Sequence, residues 1–268
     1  MKKYIIREKF RKYDLFILDC DGVIWKGNEP ILSAINSINE LRKNDKKVVF
    51  LTNNSSLSRE SYKKKFQKMG LKVSLNEIYT SSYATALFLK KNGIKKVFVI
   101  GEEGIYRELE KIGVNIGYDS TVQAVVVGID REISYWKIAH ACRLLRDKDK
   151  LFIVTNIDPT VPSPSGEMPG AGSIISSISV CANRKPDINI GKPSKEIFNL
   201  VISRYKADPK KVLVIGDRLE TDILGANNAN LDSALVLTGV TKTYSDKNEI
   251  KPKYILKNLY EIFKISRT

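Results

Sequence analysis

Cysteine, histidine and long apolar runs are all scarce in this chain. The three cysteines, Cys20, Cys142 and Cys181, are widely spaced and contain no CxxC pair, which argues against a disulfide framework or a zinc site. The only histidine, His140, is interpreted as a surface or packing residue. No stretch approaches the roughly 20 consecutive apolar residues of a membrane span, and the first residues lack the apolar core of a signal peptide. We therefore expect a cytoplasmic protein with reduced thiols.

Acidic residues are scarce relative to basic ones, at 30 against 45, which gives a net charge of +15. Such a balance is compatible with nucleic acid, an anionic membrane surface or small anionic substrates as partners. The longest basic run is only Lys63–Lys65, and basic residues are not interleaved with aromatic ones as a single-strand binding groove requires. We expect no nucleic acid and no membrane partner. Ordinary solvation of the surface is the leading explanation of the positive charge, and among specific roles the attraction of phosphate esters fits the other motifs better.

Short apolar runs alternate with amphipathic patterns over nearly the full length of 268 residues. This alternation is typical of an α/β fold with a doubly wound parallel sheet. The predicted strands are Leu15–Leu18, Val48–Leu51, Val97–Ile100, Val122–Val127, Leu151–Val154, Val212–Ile215 and Ala234–Val236. The predicted helices are Ala34–Lys43, Arg59–Met69, Tyr83–Lys91, Tyr135–Leu145 and Lys195–Tyr205.

One segment interrupts the series of polar motifs described below and has strands and helices of its own. We predict that residues 82–186 form an inserted second domain and that residues 1–81 and 187–268 form the core. A loop rich in proline and glycine, residues 156–172, lies inside the insert.

Two aspartates, Asp19 and Asp21, end the apolar run that begins at Leu15. A carboxylate at the end of a buried strand is costly unless it is paired or bound to a metal. The pair therefore predicts a bound cation. Cys20 between them should point into the core as an inert packing residue, and Trp25 and Trp136 are interpreted as core or interface aromatics.

Three further motifs follow apolar strands or precede helices. Residues Thr52, Asn53 and Asn54 are placed to bind an anion, although Thr and Asn are also ordinary helix N-caps. A lysine, Lys192, stands between a glycine and a proline that restrict its backbone, as a lysine aimed at a phosphoryl oxygen needs. A solvated surface position is the alternative interpretation for this lysine.

The third motif is a pair of acids, Asp217 and Asp222, after an all-apolar strand. An N-cap with an acid in the first helical turn is the alternative for these two residues. Because their strand should neighbour that of Asp19, we favour a site for Mg²⁺, which takes oxygen ligands and keeps several waters.

The order of these motifs resembles the haloacid dehalogenase superfamily of phosphohydrolases. The longer strings at residues 19–25, 52–55, 169–173, 191–194 and 216–222 look like its NagD or p-nitrophenyl phosphatase branch. Members of that branch carry a C2-type α/β cap between the second and third motifs. The resemblance covers essentially the whole chain, and all four motifs are present in order.

The resemblance implies a role for each motif. Asp19 would be the nucleophile that forms an aspartyl-phosphate, and Asp21 would protonate the leaving alcohol and later take a proton from water. Mg²⁺ would be held by Asp19, the Asp21 carbonyl and Asp217, with Asp222 ordering a metal-bound water or ligating the ion directly. The residues that would surround the transferring phosphoryl group are Thr52, Asn53, Asn54 and Lys192.

Substrate choice would come from the cap, where Asn156 and Asp158 are candidates to bind a substrate hydroxyl; a simple turn at Asp158 is the alternative. Pyridoxal phosphatases tend to have a histidine where this chain has Val161, so a different small organic phosphate is favoured. Caps of this type often mediate homodimers. A phosphotransferase or phosphonate-cleaving relative and a non-catalytic anion-binding scaffold stay open as alternatives.

Overall fold

The computed structural model describes residues 3–163 and 166–266, and the chain divides into two compact units. The first unit consists of the residues up to Leu51, Lys65–Ile78 and the residues from Lys192 onward. The second consists of Thr52–Lys64 and Tyr79–Gly191. Residues 82–186 fall within the second unit, which also takes residues 52–64, 79–81 and 187–191 from the predicted core. We retain 82–186 as the proposed inserted domain.

The larger sheet has six strands, and the prediction of a doubly wound parallel α/β core is confirmed. Its strands at residues 15–18 and 212–216 are buried throughout, which explains why they are continuous apolar runs in the sequence. They pair in parallel, with Leu18 opposite Ile215, so their carboxyl ends lie side by side. In order across the sheet the strands are Tyr254–Leu256, Asp232–Val236, Val212–Gly216, Leu15–Leu18, Lys47–Thr52 and Ile78–Thr80.

The other elements of the first unit are helices and two antiparallel ribbons. The ribbons pair Lys3–Ile6 with Phe263–Ser266 and Trp25–Lys26 with Glu29–Pro30. A further helix, Arg59–Lys68, begins in the second unit and ends in the first. The helices and helical turns of the first unit are Glu8–Arg11, Leu32–Lys43, Leu75–Glu77, Lys195–Tyr205, Pro209–Lys211, Leu219–Ile223, Leu224–Asn228 and Leu259–Ile262.

Asp232, at the start of its strand, is an electrostatic anchor of the first unit. Its Oδ2 accepts hydrogen bonds from Tyr13 at 2.6 Å, from Lys253 at 2.8 Å and from Lys12 at 2.9 Å. Partial burial opposes the charged carboxylate, but the hydrogen bonds from Lys253, Tyr13 and Lys12 lower the pKa of Asp232 to about 2. The ionised carboxylate is therefore stabilised by the fold.

The second unit has a five-stranded sheet whose pairs are all parallel. The order is Ile188–Asn189, Leu151–Val154, Ala124–Val127, Lys96–Ile100 and Asn115–Ile116. Apolar side chains from these strands and from two helices form one buried cluster that includes Phe98, Phe152 and Ile178. The helices of this unit are Ser81–Lys91, Glu103–Lys111, Tyr135–Leu144 and Ala171–Ala182.

Several details differ from the sequence-based expectations. Helices Glu103–Lys111 and Ala171–Ala182 were not among the predicted elements. The stretch 156–172, interpreted as a loop, contains a ribbon of Thr160–Ser163 paired with Gly166–Pro169. Proline is tolerated here because a two-stranded ribbon has only one hydrogen-bonded side on each strand.

The two tryptophans have different environments. Trp25 is fully buried, as expected of a core aromatic, whereas Trp136 is 70% exposed and does not belong to the core. Cys20 is fully buried, as predicted. Within the described residues, no helix is both long enough and apolar enough to cross a membrane.

Candidate active site

The carboxyl ends of the two central strands of the six-stranded sheet bring three aspartates together. Asp19 follows the strand 15–18, Asp217 follows the strand 212–216, and Asp222 lies in the helical turn Leu219–Ile223. One carboxylate oxygen from each of the three lies within 4.8 Å of the others. Asp217 and Asp222 therefore lie beside Asp19, as predicted, and one cation can bridge oxygens at this spacing.

Lys192 reaches the same cluster from just before the helix Lys195–Tyr205. Its Nζ donates to Asp19 Oδ1 and to Asp222 Oδ1, each at 2.6 Å, and its side chain is only 4% exposed. The surface alternative for this lysine is wrong. A buried ammonium between two carboxylates is a strong charge-assisted contact that fixes all three side chains.

The electrostatics of the cluster show an excess of negative charge. Burial raises the pKa of Asp19 well above its usual range; Lys192 acts against this shift, while Asp222 and Asp217 add to it. Burial and then Asp222 raise the pKa of Asp217 to about 6. Burial disfavours the Lys192 ammonium, but Asp19 and Asp222 outweigh it and raise the pKa of this lysine. Three ionised carboxylates and one ammonium carry a net charge of −2, which one divalent cation would balance.

Backbone groups hold the aspartates in place. The Val240 N–H donates to Asp217 Oδ2, and the Arg218 N–H donates to Asp222 Oδ2 at 3.1 Å. Gly239 is needed beside Asp217, because a Cβ there would lie 1.8 Å from Asp217 Oδ2. The sequence patterns did not point to Gly239 and Val240. A signal was present, because these residues follow the predicted strand that ends at Val236, and polar or glycine-rich residues at the ends of neighbouring parallel strands indicate a site.

Asp21 lies in the loop that follows Asp19. Its Oδ1 accepts a hydrogen bond of 2.9 Å from the indole Nε1 of Trp25. Gly22, next in the chain, has φ of +79°, and a Cβ there would lie 2.3 Å from Asp217 Oδ2. Glycine is therefore required for the chain to turn away from the strand beside the aspartate cluster.

The second predicted motif belongs to the second unit and forms a tightly bonded loop. Thr52 is buried, and its Oγ1 accepts from the Asn54 N–H at 3.1 Å. Asn54 Oδ1 in turn accepts from the N–H and the hydroxyl of Ser56, at 2.8 and 2.7 Å. The Asn53 carbonyl accepts from the Ser81 hydroxyl at 2.6 Å. These local bonds fix the shape of the loop.

Of the two specificity candidates, Asp158 contacts this loop within the second unit, and Asn156 contacts Asp158. Asp158 Oδ2 accepts from Asn53 Nδ2 and from Asn156 Nδ2, both at 2.7 Å. Asn156 is buried, and its Oδ1 accepts from the Thr155 hydroxyl at 2.8 Å. Asp158 is thus bonded to Asn53, which lies 105 positions earlier in the chain, and the simple turn interpretation does not explain this contact.

Comparison with known proteins agrees with this architecture. The profile of the family described as haloacid dehalogenase-like hydrolase matches residues 16–115, and one described as HAD-hydrolase-like matches residues 189–262. The 4-nitrophenylphosphatase of Schizosaccharomyces pombe is 39% identical, over 88% of this chain and 87% of its own length. Phosphoglycolate phosphatase 2 of Arabidopsis thaliana is 37% identical, over 96% and 94% of the two chains.

Solved structures give the same result. The crystal structure of a 4-nitrophenylphosphatase from Thermotoga maritima has a TM-score of 0.88 at 33% identity, covering 96% of this chain and 98% of that one. The glycerol phosphate phosphatase of Mycobacterium tuberculosis in complex with magnesium has a TM-score of 0.85 at 28% identity, covering 94% and 77%.

The chain belongs to the haloacid dehalogenase-like hydrolases. Both the motif order and the strand-end aspartate cluster fit that family. Within it, the chain groups with the NagD-like p-nitrophenyl phosphatases, and it is an enzyme of the phosphatase class.

Proposed function

We propose that this protein is a Mg²⁺-dependent phosphomonoesterase that hydrolyses a small organic phosphate through an aspartyl-phosphate on Asp19. The observation that carries the proposal is the buried cluster in which Lys192 joins Asp19 and Asp222 while Asp217 lies within reach of the same cation. A non-catalytic scaffold does not need three clustered carboxylates of which two are buried, because buried charge is costly.

The residues that would hold Mg²⁺ are Asp19, Asp217 and Asp222, with the Asp21 carbonyl as the fourth group that the family resemblance implies. Their hard oxygen atoms and the net charge of −2 fit a divalent cation of this kind. When bound, the ion supplies positive charge that favours ionised Asp19 and offsets the charge of the phosphoryl group.

The chain's own residues would then divide the reaction into two displacements. An Asp19 carboxylate oxygen attacks phosphorus as the bond from phosphorus to the ester oxygen breaks, and Asp21 gives a proton to that departing oxygen. In the second step Asp21 takes a proton from water, whose oxygen attacks phosphorus and releases Asp19. Lys192 would donate to a phosphoryl oxygen and so stabilise the transferring group.

Phosphate contacts and substrate choice are the roles proposed for two further groups of residues. Thr52, Asn53 and Asn54 are the proposed phosphate-binding loop, and Asn156 and Asp158 the proposed specificity residues. The hydrogen bonds that Asn53 and Asn156 donate to Asp158 support a shared role for these three side chains. Relatives named for 4-nitrophenyl phosphate, phosphoglycolate and glycerol phosphate favour small anionic or polyol monoesters as substrates. Cytoplasmic location and a homodimer through the cap stay predictions.

The test is phosphate release from 4-nitrophenyl phosphate and a panel of metabolite monoesters, with Mg²⁺ and with chelator. We expect Mg²⁺-dependent turnover that is abolished in Asp19→Asn, and acid-quenched protein should carry one phosphoryl group on Asp19. Asp14→Asn is the matched control, since Asp14 is an exposed aspartate at the other end of the same strand. Phosphate release equal to the blank would contradict the proposal. Transfer to added glycerol in place of water would favour the phosphotransferase alternative.

A further inference from the structure

The loop that carries Asp21 is folded back on itself by Trp25. The Gly22 N–H donates to the Trp25 carbonyl at 2.7 Å, and the Trp25 N–H donates to the Cys20 carbonyl at 3.3 Å. Across this closed loop the Trp25 indole donates to Asp21 Oδ1 at 2.9 Å. The tryptophan is therefore bound by its backbone and its side chain to the segment that contains the proposed acid–base residue.

The Trp25 ring is itself held in place within the first unit. It is fully buried, and it meets the Phe66 ring edge to face, with centroids 4.9 Å apart and planes at 64°. The Lys65 ammonium lies 4.3 Å from the Trp25 ring. A buried ring with these contacts has little freedom to change its rotamer, so the direction of its N–H is fixed.

We propose that Trp25 is a positioning residue that fixes the Asp21 carboxyl group, so that Asp21 Oδ2 is the oxygen that exchanges a proton with the leaving group. An indole N–H can only donate, and the carbonyl oxygen of a carboxylic acid accepts a hydrogen bond better than its hydroxyl oxygen does, so the bond to Oδ1 favours Oδ2 as the site of the transferred proton. Oδ1 can accept this bond as a carboxylate oxygen and as the carbonyl oxygen of the protonated acid. The indole thus holds one orientation throughout the cycle, and the inference rests on the proposed role of Asp21.

Asp21 needs such support because its side chain is partly exposed and it is in a loop. General acid catalysis depends on the acid lying within hydrogen-bond reach of the atom it protonates, and it contributes about 10²–10⁴-fold to the rate. A carboxyl group that rotates freely would spend part of its time pointing elsewhere. Losing the indole N–H should therefore remove part of that contribution without removing nucleophile or cation ligands.

The test compares esters whose leaving groups differ in their need for a proton. Trp25→Phe keeps an aromatic ring but removes the N–H. We expect kcat/KM for an alkyl phosphate such as glycerol phosphate to fall on the order of 10- to 100-fold. For 4-nitrophenyl phosphate, whose phenolate leaves without protonation, the fall should be less than about threefold. Phenyl phosphate should lie between the two.

Controls separate positioning from packing. Phe66→Leu alters the packing of Trp25 but keeps its N–H, and it should lower the rates for all three esters by one common factor. In an Asp21→Asn background, adding Trp25→Phe should have no further effect on the alkyl phosphate. If Trp25→Phe does not fold, benzothienylalanine at this position keeps the ring shape and lacks the N–H.

Equal losses for all three esters, or no loss, would overturn the inference while leaving the phosphatase proposal intact. A wild-type protein inactive on every ester would instead contradict the proposed function itself. The expected pattern, a loss that grows as the leaving group becomes more basic, is one that a purely structural tryptophan would not produce.

Discussion

Replacing Lys192 with methionine should have opposite effects on cation binding and on catalysis. Methionine has a similar length but no charge, so Asp19 and Asp222 each lose an ammonium at 2.6 Å. The three remaining carboxylates have oxygens within 4.8 Å of one another. At an effective dielectric constant of about 20, two unit charges at that distance repel by about 3–4 kcal/mol.

The metal-free variant should consequently be much less stable. Removing one partner of a buried ion pair usually costs about 3–5 kcal/mol, because the other charge is left unpaired. In Lys192→Met, protonation of the aspartates keeps the loss of stability from exceeding this range. We expect the free energy of unfolding of Lys192→Met, from urea denaturation in chelator, to fall by about that amount. Activity should fall on the order of 100-fold or more even at saturating Mg²⁺, because one phosphoryl contact is lost.

Mg²⁺ should bind the variant more tightly than the wild type. Without the lysine the ionised site carries a charge of −3 in place of −2, and no ammonium repels the ion. We expect the binding free energy of Mg²⁺ to become more favourable by about 1.4 kcal/mol, which lowers Kd tenfold. This gain is smaller than the interaction of about 3–4 kcal/mol between two unit charges in the site. Calorimetric titration gives Kd directly, and the rise of the melting temperature with Mg²⁺ should also be larger in the variant.

Lys150→Met is the matched control. Lys150 is also buried, and its Nζ donates to the Ser120 carbonyl at 2.8 Å and pairs with Asp147 at 2.9 Å in the second unit. This variant should lose stability by an amount that Mg²⁺ does not change. The reasoning is refuted if Lys192→Met binds Mg²⁺ no more tightly than the wild type does.

Three other changes test separate parts of the structure. Gly239→Ala should displace the Asp217 carboxylate and raise the Mg²⁺ Kd about tenfold or more in calorimetry; an unchanged Kd would show that the loop adapts. Asp232→Asn should lower the unfolding free energy by about 1 kcal/mol at pH 6, allowing for solvent screening. Because folding depresses the pKa of Asp232 to about 2, this difference should disappear as pH falls from about 4 towards 2; a pH-independent difference would contradict the assignment. Asp158→Leu removes an acceptor from Asn53 and should raise KM several-fold more than it lowers kcat, whereas an unaltered KM would argue against its proposed role.

Local signals were sufficient for most of the fold. Buried parallel strands need apolar residues on both faces, so runs such as 15–18 and 212–215 are visible without any structure. Helix Ala171–Ala182 was harder to find, because its first turn follows prolines and glycines that also mark a loop. The ribbon at 160–169 was missed for the same reason.

The site shows the same division between local and non-local information. The order of its motifs identified the aspartates and Lys192, since each follows a strand or precedes a helix. Sequence patterns did not reveal the bond from Trp25 to Asp21, because burial of an aromatic residue does not specify the direction of its N–H. They also did not reveal the Asn53–Asp158 contact, which joins positions 105 residues apart.

The sequence by itself determined the fold class, the family and the residues at the strand ends, because periodicity and short motifs are local properties of the chain. Only the tertiary structure decided which atoms meet: Lys192 between two carboxylates, Gly239 against Asp217, and the indole of Trp25 on one oxygen of Asp21. Hydrogen bonds and charge pairs act over a few ångströms, and distances on that scale between remote residues are set by how the strands and helices pack.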